Sequence, residues 1–221
     1  MIDPKIHASI RAALHAFTKY NPVEATAEAR FDDVFSLPGD FISKVNKLDE
    51  VFDDMPQLDA LREVFFDMLM INFFAEDVKK LEDDYLETPE WEAIEEETLD
   101  RGTELLNLLL YLNECRDENI DPSLEDYLKE FLLVDEDEFQ DEYKIYEPVI
   151  ANQILLESPV AEIGRVAATI PEDSELKEIF YPMMCFFQDV QSGEQSPEEF
   201  KTSAIDPAFD SAVYAILDTF K

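Results

Sequence analysis

The chain has 221 residues and carries 53 Asp and Glu against 17 Lys and Arg, so its formal charge is 17 − 53 = −36. With 46% apolar residues, including 17 Phe, 8 Tyr and 1 Trp, it can fill a real core, which excludes a wholly disordered chain despite the charge. Four glycines leave no phosphate-cradling loop, neither GxGxxG nor GxxxxGK[ST] nor GxSxG occurs, and nucleotide-loop and nucleophile-elbow enzymes lose their support.

In chain order, the strongest local signal is a residue able to cap a helix placed directly before proline. It occurs at Asp3-Pro4, Asn21-Pro22, Thr88-Pro89, Asp121-Pro122, Ser158-Pro159, Ser196-Pro197 and Asp206-Pro207. A side-chain oxygen can accept from an orphan N–H there, while proline at the first helical position gives up no bond. These sites predict up to seven helix starts. Ile6, Ile10, Ala13, Leu14 and Phe17 form the first apolar stripe, and Phe41, Val45, Leu48 and Phe52 form another, capped by Asp40. Residues 57–85 and 89–115 are expected to be two long central helices. Shorter ones follow from Pro122, over 139–155 with a bend at Pro148, after Ser158-Pro159, through the apolar run around Pro182, and from Pro207.

No period-two strand or Asn-Gly hairpin signal interrupts this pattern. The expectation is an all-α fold of nine or ten helices without significant sheet, arranged as a multi-helix bundle or as stacked helical hairpins. Residues 1–221 are read as one domain, with 116–121 as the place where a weak subdivision would fall. Cys115 and Cys185 lie seventy positions apart in apolar stretches, which predicts buried free thiols, not a zinc site. The first residues lack an apolar signal region and no run of eighteen apolar residues follows, so the expected location is cytoplasmic.

The charge is uneven. Residues 76–142 hold 26 acidic and 5 basic side chains, 5 − 26 = −21, more than half of the total. The densest run is Asp135, Glu136, Asp137 and Glu138, followed by Asp141 and Glu142. As a group these six read either as a solvated connection or as a docking patch for a cationic partner. Such a field repels nucleic acid, which needs clustered Lys and Arg, and it repels anionic membranes. The first twenty residues run the other way: Lys5, Arg11 and Lys19 against Asp3 give +2, with His7, Arg11 and His15 on one helical face, which predicts docking of this helix on the acidic body.

Two acidic patterns bear on metal chemistry. Asp117-Glu118-Asn119-Ile120-Asp121 alternates oxygen side chains as a calcium loop does, but Pro122 replaces the glycine of the turn and Leu128 the bidentate glutamate, so calcium is rejected. Glu92-x-x-Glu95 and Glu97-x-x-Asp100 present carboxylates at helical spacing, which keeps open a magnesium-dependent all-α hydrolase acting on a phosphoanhydride. Imidazole comes only from His7 and His15, which argues against His-dependent catalysis. The leading expectation is a non-enzymatic acidic protein that binds a basic partner protein, with no cofactor and no catalytic or metal-ligating residue assigned. The alternatives are the hydrolase and an acidity that serves solubility alone.

Overall fold

The computed structural model describes residues 2–76, 80, 83–132, 139–193 and 197–221, and its side-chain description further omits 83, 84, 130–132 and 139–143. The fold is all-α, with more helical segments than the nine or ten expected: α1 Pro4–Phe17, α2 Ala27–Ser36, α3 Phe41–Asp54, α4 Arg62–Glu76, α5 Asp83–Leu86, α6 Pro89–Thr98 and α7 Leu105–Glu118 precede α8 Leu124–Leu132, α9 Phe139–Ile150, α10 Val160–Ala167, α11 Phe180–Ser192, α12 Pro197–Ser203 and α13 Pro207–Phe220. Pro56–Leu61 and Gln153–Glu157 are 3-10 segments. The described residues contain no strand. Among them no helix is long and apolar enough to cross a membrane.

Local sequence explains several of these starts. Asp3 accepts from the N–H groups of Lys5 and Ile6, Asp40 from Ser43, Thr88 from Trp91, and Asp206 from Ala208 and Phe209. Asn21-Pro22 opens no helix. The N–H groups of Tyr20 and Asn21 instead bond back to the carbonyl of Phe17, so Pro22 follows the end of α1, and α2 begins at Ala27. Asp121-Pro122 is two residues early: α8 starts at Leu124, and Ser123 Oγ accepts from the Asp126 N–H at 3.1 Å. After Ser158-Pro159 α10 begins at Val160 without a side-chain cap, and Ser196 lies outside the described residues.

The two long central helices are each interrupted. The described part of 57–85 holds a 3-10 turn, α4 and α5, with 77–79 and 81–82 outside the described residues. Residues 89–115 divide into α6 and α7, separated by Leu99–Glu104. Pro148 sits in the last turn of α9. Pro182 sits in the first turn of α11, where its missing N–H costs no helical bond.

α4 and α11 are the center of the molecule, because both are apolar around most of their circumference and must be covered on several sides. The doublets Phe65-Phe66, Phe73-Phe74, Met183-Met184 and Phe186-Phe187 are all buried, which places both members of each pair between helices. Phe65 packs against Phe31 and Phe52 with ring centroids 4.6 and 5.7 Å apart. Each such side chain contributes about 1.5–3 kcal/mol of burial. The first and last helices run together: Ile6, Ile10, Leu14 and Phe17 of α1 are buried with Phe209, Val213, Ile216 and Phe220 of α13, and Lys5 Nζ donates to the carbonyls of Thr219 and Lys221 at 3.2 and 3.0 Å. The buried apolar residues from α1 to α13 form one continuous cluster. Both cysteines are buried and neither is in a disulfide, and burial pushes the Cys185 thiol up to about 12, so it stays protonated and inert at neutral pH.

α10 and α12 approach so closely that only glycine fits between them. A methyl carbon built on Gly164 would stand 2.3 Å from the Ser203 carbonyl oxygen. Gly164→Ala is expected to cost about 2–3 kcal/mol by forcing the two backbones apart. Urea denaturation reads this directly, and a wild-type midpoint would mean that the contact yields without penalty.

Candidate functional site

The six acidic residues singled out from the sequence fall outside what can be described. Asp135, Glu136, Asp137 and Glu138 lie outside the described residues. Asp141 and Glu142 belong to α9, but their side chains are also outside. The paired carboxylates Glu92, Glu95, Glu97 and Asp100 are described, and all four are exposed.

A cleft of about 830 Å3 opens among the described residues. It is built from the 3-10 turn at Ala60, the start of α4, the α6–α7 link, residues 172–181 leading into α11, and the start of α13. The link is shaped by one backbone position. Gly102 has φ +87°, and an added Cβ would lie 2.6 Å from Asp67 Oδ1. Its N–H donates to Glu63 Oε2 at 2.7 Å, and the next N–H, from Thr103, donates to Asp67 Oδ1 at 3.0 Å. Thr103 Oγ1 adds a 2.6 Å bond to Asp67 Oδ2. Asp67 is fully buried, and that burial raises its carboxyl well above the usual carboxylate range, the Thr103 bonds opposing the shift.

Arg101 grips the body of the protein from the same link. Its Nε lies 3.1 and 3.0 Å from the two oxygens of Glu63, its Nη1 and Nη2 lie 3.0 and 3.1 Å from those of Asp49, and its guanidinium sits 4.9 Å over the Phe66 ring. A bidentate pair with Asp49, a bifurcated Nε–H bond to Glu63 and a ring face hold it. The second cation of the cleft, Lys177, donates to the Ile170 carbonyl at 2.7 Å and pairs with Glu172 at 3.0 Å. Both cleft cations are therefore engaged with groups of their own chain.

The remaining lining is acidic. With Glu63 and Glu172 in those pairs, Asp100, Glu104, Glu175, Glu178, Asp206 and Asp210 make eight carboxylates against two cations, formally 2 − 8 = −6. Glu104 accepts from the Tyr146 hydroxyl at 2.6 Å and from Asn107 Nδ2 at 3.0 Å, and Asp206 caps α13. Asp210 reaches back to accept from the N–H groups of Ile205 and Asp206 at 2.8 and 3.0 Å. Burial pushes its carboxyl up to about 7, against those backbone bonds. Helices α4, α7, α11 and α13 begin at the cleft and α6 ends there, so helix ends bring about +2 less about 0.5, too little to reverse the sign. Two of the exposed large apolar side chains border it, Leu99 at 81% and Ile205 at 49% exposure.

The basic face of α1 meets acidic α2 as expected: Arg11 Nε lies 2.8 Å from Glu28 Oε1, and His7 Nε2 lies 3.1 Å from Asp32 Oδ1. Sequence reasoning missed the cleft because its walls come from separate stretches of chain. Gly102, one of only four glycines, is the single local signal that a helix should break there. No protein-family model matches the chain, and no curated protein or solved structure is significantly similar to it.

Proposed function

We propose that the protein is a non-enzymatic interaction protein whose cleft takes a basic, partly apolar segment of a partner protein. The observation that supports this reading is the surplus of carboxylates around the cleft when both of its cations are already engaged. Lys and Arg of the partner would meet Asp100, Glu175 and Glu178, while its apolar residues would cover Leu99 and Ile205. Charge of this kind speeds encounter and selects against acidic surfaces, so nucleic acid and anionic membranes are disfavoured as partners.

The test uses a labelled amphipathic Lys/Leu helical peptide titrated into the protein at low and moderate salt. Glu175→Gln combined with Glu178→Gln removes two exposed charges and is expected to weaken binding about three- to tenfold at low salt. Glu92→Gln combined with Glu96→Gln, on exposed α6, is the matched control and should change little. Equal losses in both pairs would show diffuse attraction to an acidic surface and would remove the cleft from the proposal.

A further inference from the structure

Outside the cleft, α1 and α2 bring together four side chains of a different chemistry. His7 and Arg11 stand one turn apart on α1, and Glu28 and Asp32 one turn apart on α2, so each helix presents two groups on the face that meets the other. The pairing is antiparallel, His7 opposite Asp32 and Arg11 opposite Glu28. One ligand atom from each of His7, Glu28 and Asp32 can be chosen so that all three lie within 4.8 Å of one another. We propose that this trio is a binding site for a divalent transition-metal cation of zinc's class, with Arg11 standing in for the cation when the metal is absent.

The donor set fits. One imidazole nitrogen with two carboxylates suits zinc and its first-row neighbours, whereas calcium and magnesium favour shells of oxygen alone. Around a tetrahedral zinc, ligand atoms lie about 3.3 Å apart with bonds of about 2.0–2.2 Å, so small side-chain rotations suffice to close the observed spacing. Three protein ligands leave a fourth position for water. The ligands also stand on packed helices, with Ile6 and Ile10 of α1 and Phe31, Val34 and Phe35 of α2 buried beneath them, so their Cβ positions are fixed.

A second, independent observation points to a missing partner. Asp32 Oδ1 is shut off from solvent and makes no hydrogen bond, although the residue as a whole is only partly buried. The Nε2 hydrogen bond of His7 goes to the other oxygen, Oδ2, at 3.2 Å, and the 3.1 Å approach to Oδ1 lies outside hydrogen-bond geometry. A sealed carboxylate oxygen without a donor is costly, and a metal ion would satisfy it. Arg11 neutralises only one of the two carboxylates. A dication neutralises both, and Arg11, with a side chain 57% exposed, can turn out to water when displaced.

The experiment titrates zinc into the full chain against a chromophoric zinc chelator, in millimolar magnesium to occupy the many surface carboxylates. Wild type is expected to bind one zinc saturably and to melt at a higher temperature when loaded, because the ion ties α1 to α2 in the folded state only. His7→Gln and Asp32→Asn should each weaken this binding at least about tenfold and abolish the melting shift. Arg11→Gln should tighten binding by removing the internal competitor. Undiminished zinc affinity in His7→Gln, no gain in Arg11→Gln, or only unsaturable background uptake in wild type overturns the proposal.

Discussion

Gly102→Ala is expected to destabilise the protein by about 3–5 kcal/mol. Two costs combine. At φ +87° an L side chain is strained wherever it finds room. Here it finds none, since the new Cβ would lie 2.6 Å from Asp67 Oδ1 and 3.3 Å from the Phe66 ring. Relieving the clash means moving Asp67, which breaks the bonds it accepts from the Thr103 N–H and hydroxyl in the interior. Urea unfolding of Gly102→Ala, Asp67→Ala and the double variant measures both parts. The losses should be less than additive, because Asp67→Ala removes the atom that the new methyl meets. A loss below about 1 kcal/mol for Gly102→Ala alone would mean that the turn is not held in this shape.

The same turn shows which parts of the fold were legible in the sequence. Caps at Asp3, Asp40, Thr88 and Asp206 were readable because capping is a contact between residues two or three positions apart. Asn21-Pro22 misled because a proline after a polar residue opens a helix or follows the end of one equally well, and here it follows α1. The expected helix over 89–115 failed at Gly102, since the apolar spacing carries on past a break set by contacts with Glu63 and Asp67, 39 and 35 positions earlier. The all-α class survived these errors because it rests on the 3.6-residue period summed over many segments.

The sites were less legible for the same reason. Arg101 is held by Asp49 and Glu63, 52 and 38 residues away, and no local pattern predicts that pairing. His7 read as an isolated imidazole because its two companions are 21 and 25 residues further along, on the next helix. What the sequence did carry was the sign of the charge, and the arrangement of the cleft gives that charge a place.

Asp210→Asn is expected to make the protein more stable than wild type at pH 8 and little different at pH 4. The folded Asp210 carboxyl holds its proton up to about 7, against an ordinary value of 3.8, because burial penalises the anion more than two backbone N–H groups stabilise it. Between these two values the folded state binds more protons than the unfolded one. The stability tied to this proton is therefore fully present below about pH 4 and is lost as pH rises through 7. A difference of this size corresponds to roughly 4 kcal/mol, an upper figure that water reaching the cleft would reduce. Asparagine keeps an oxygen to accept from Ile205 and Asp206 and carries no charge, so it should remove Asp210's share of the pH dependence. Asp67, also raised by burial, adds a slope of the same sign to both proteins, so the difference between wild type and Asp210→Asn isolates Asp210. Urea midpoints at pH 4, 6 and 8 measure it. Parallel curves for the two proteins would show that Asp210 is ionised in the folded state throughout this range, with water or a neighbour supplying what its two backbone bonds do not.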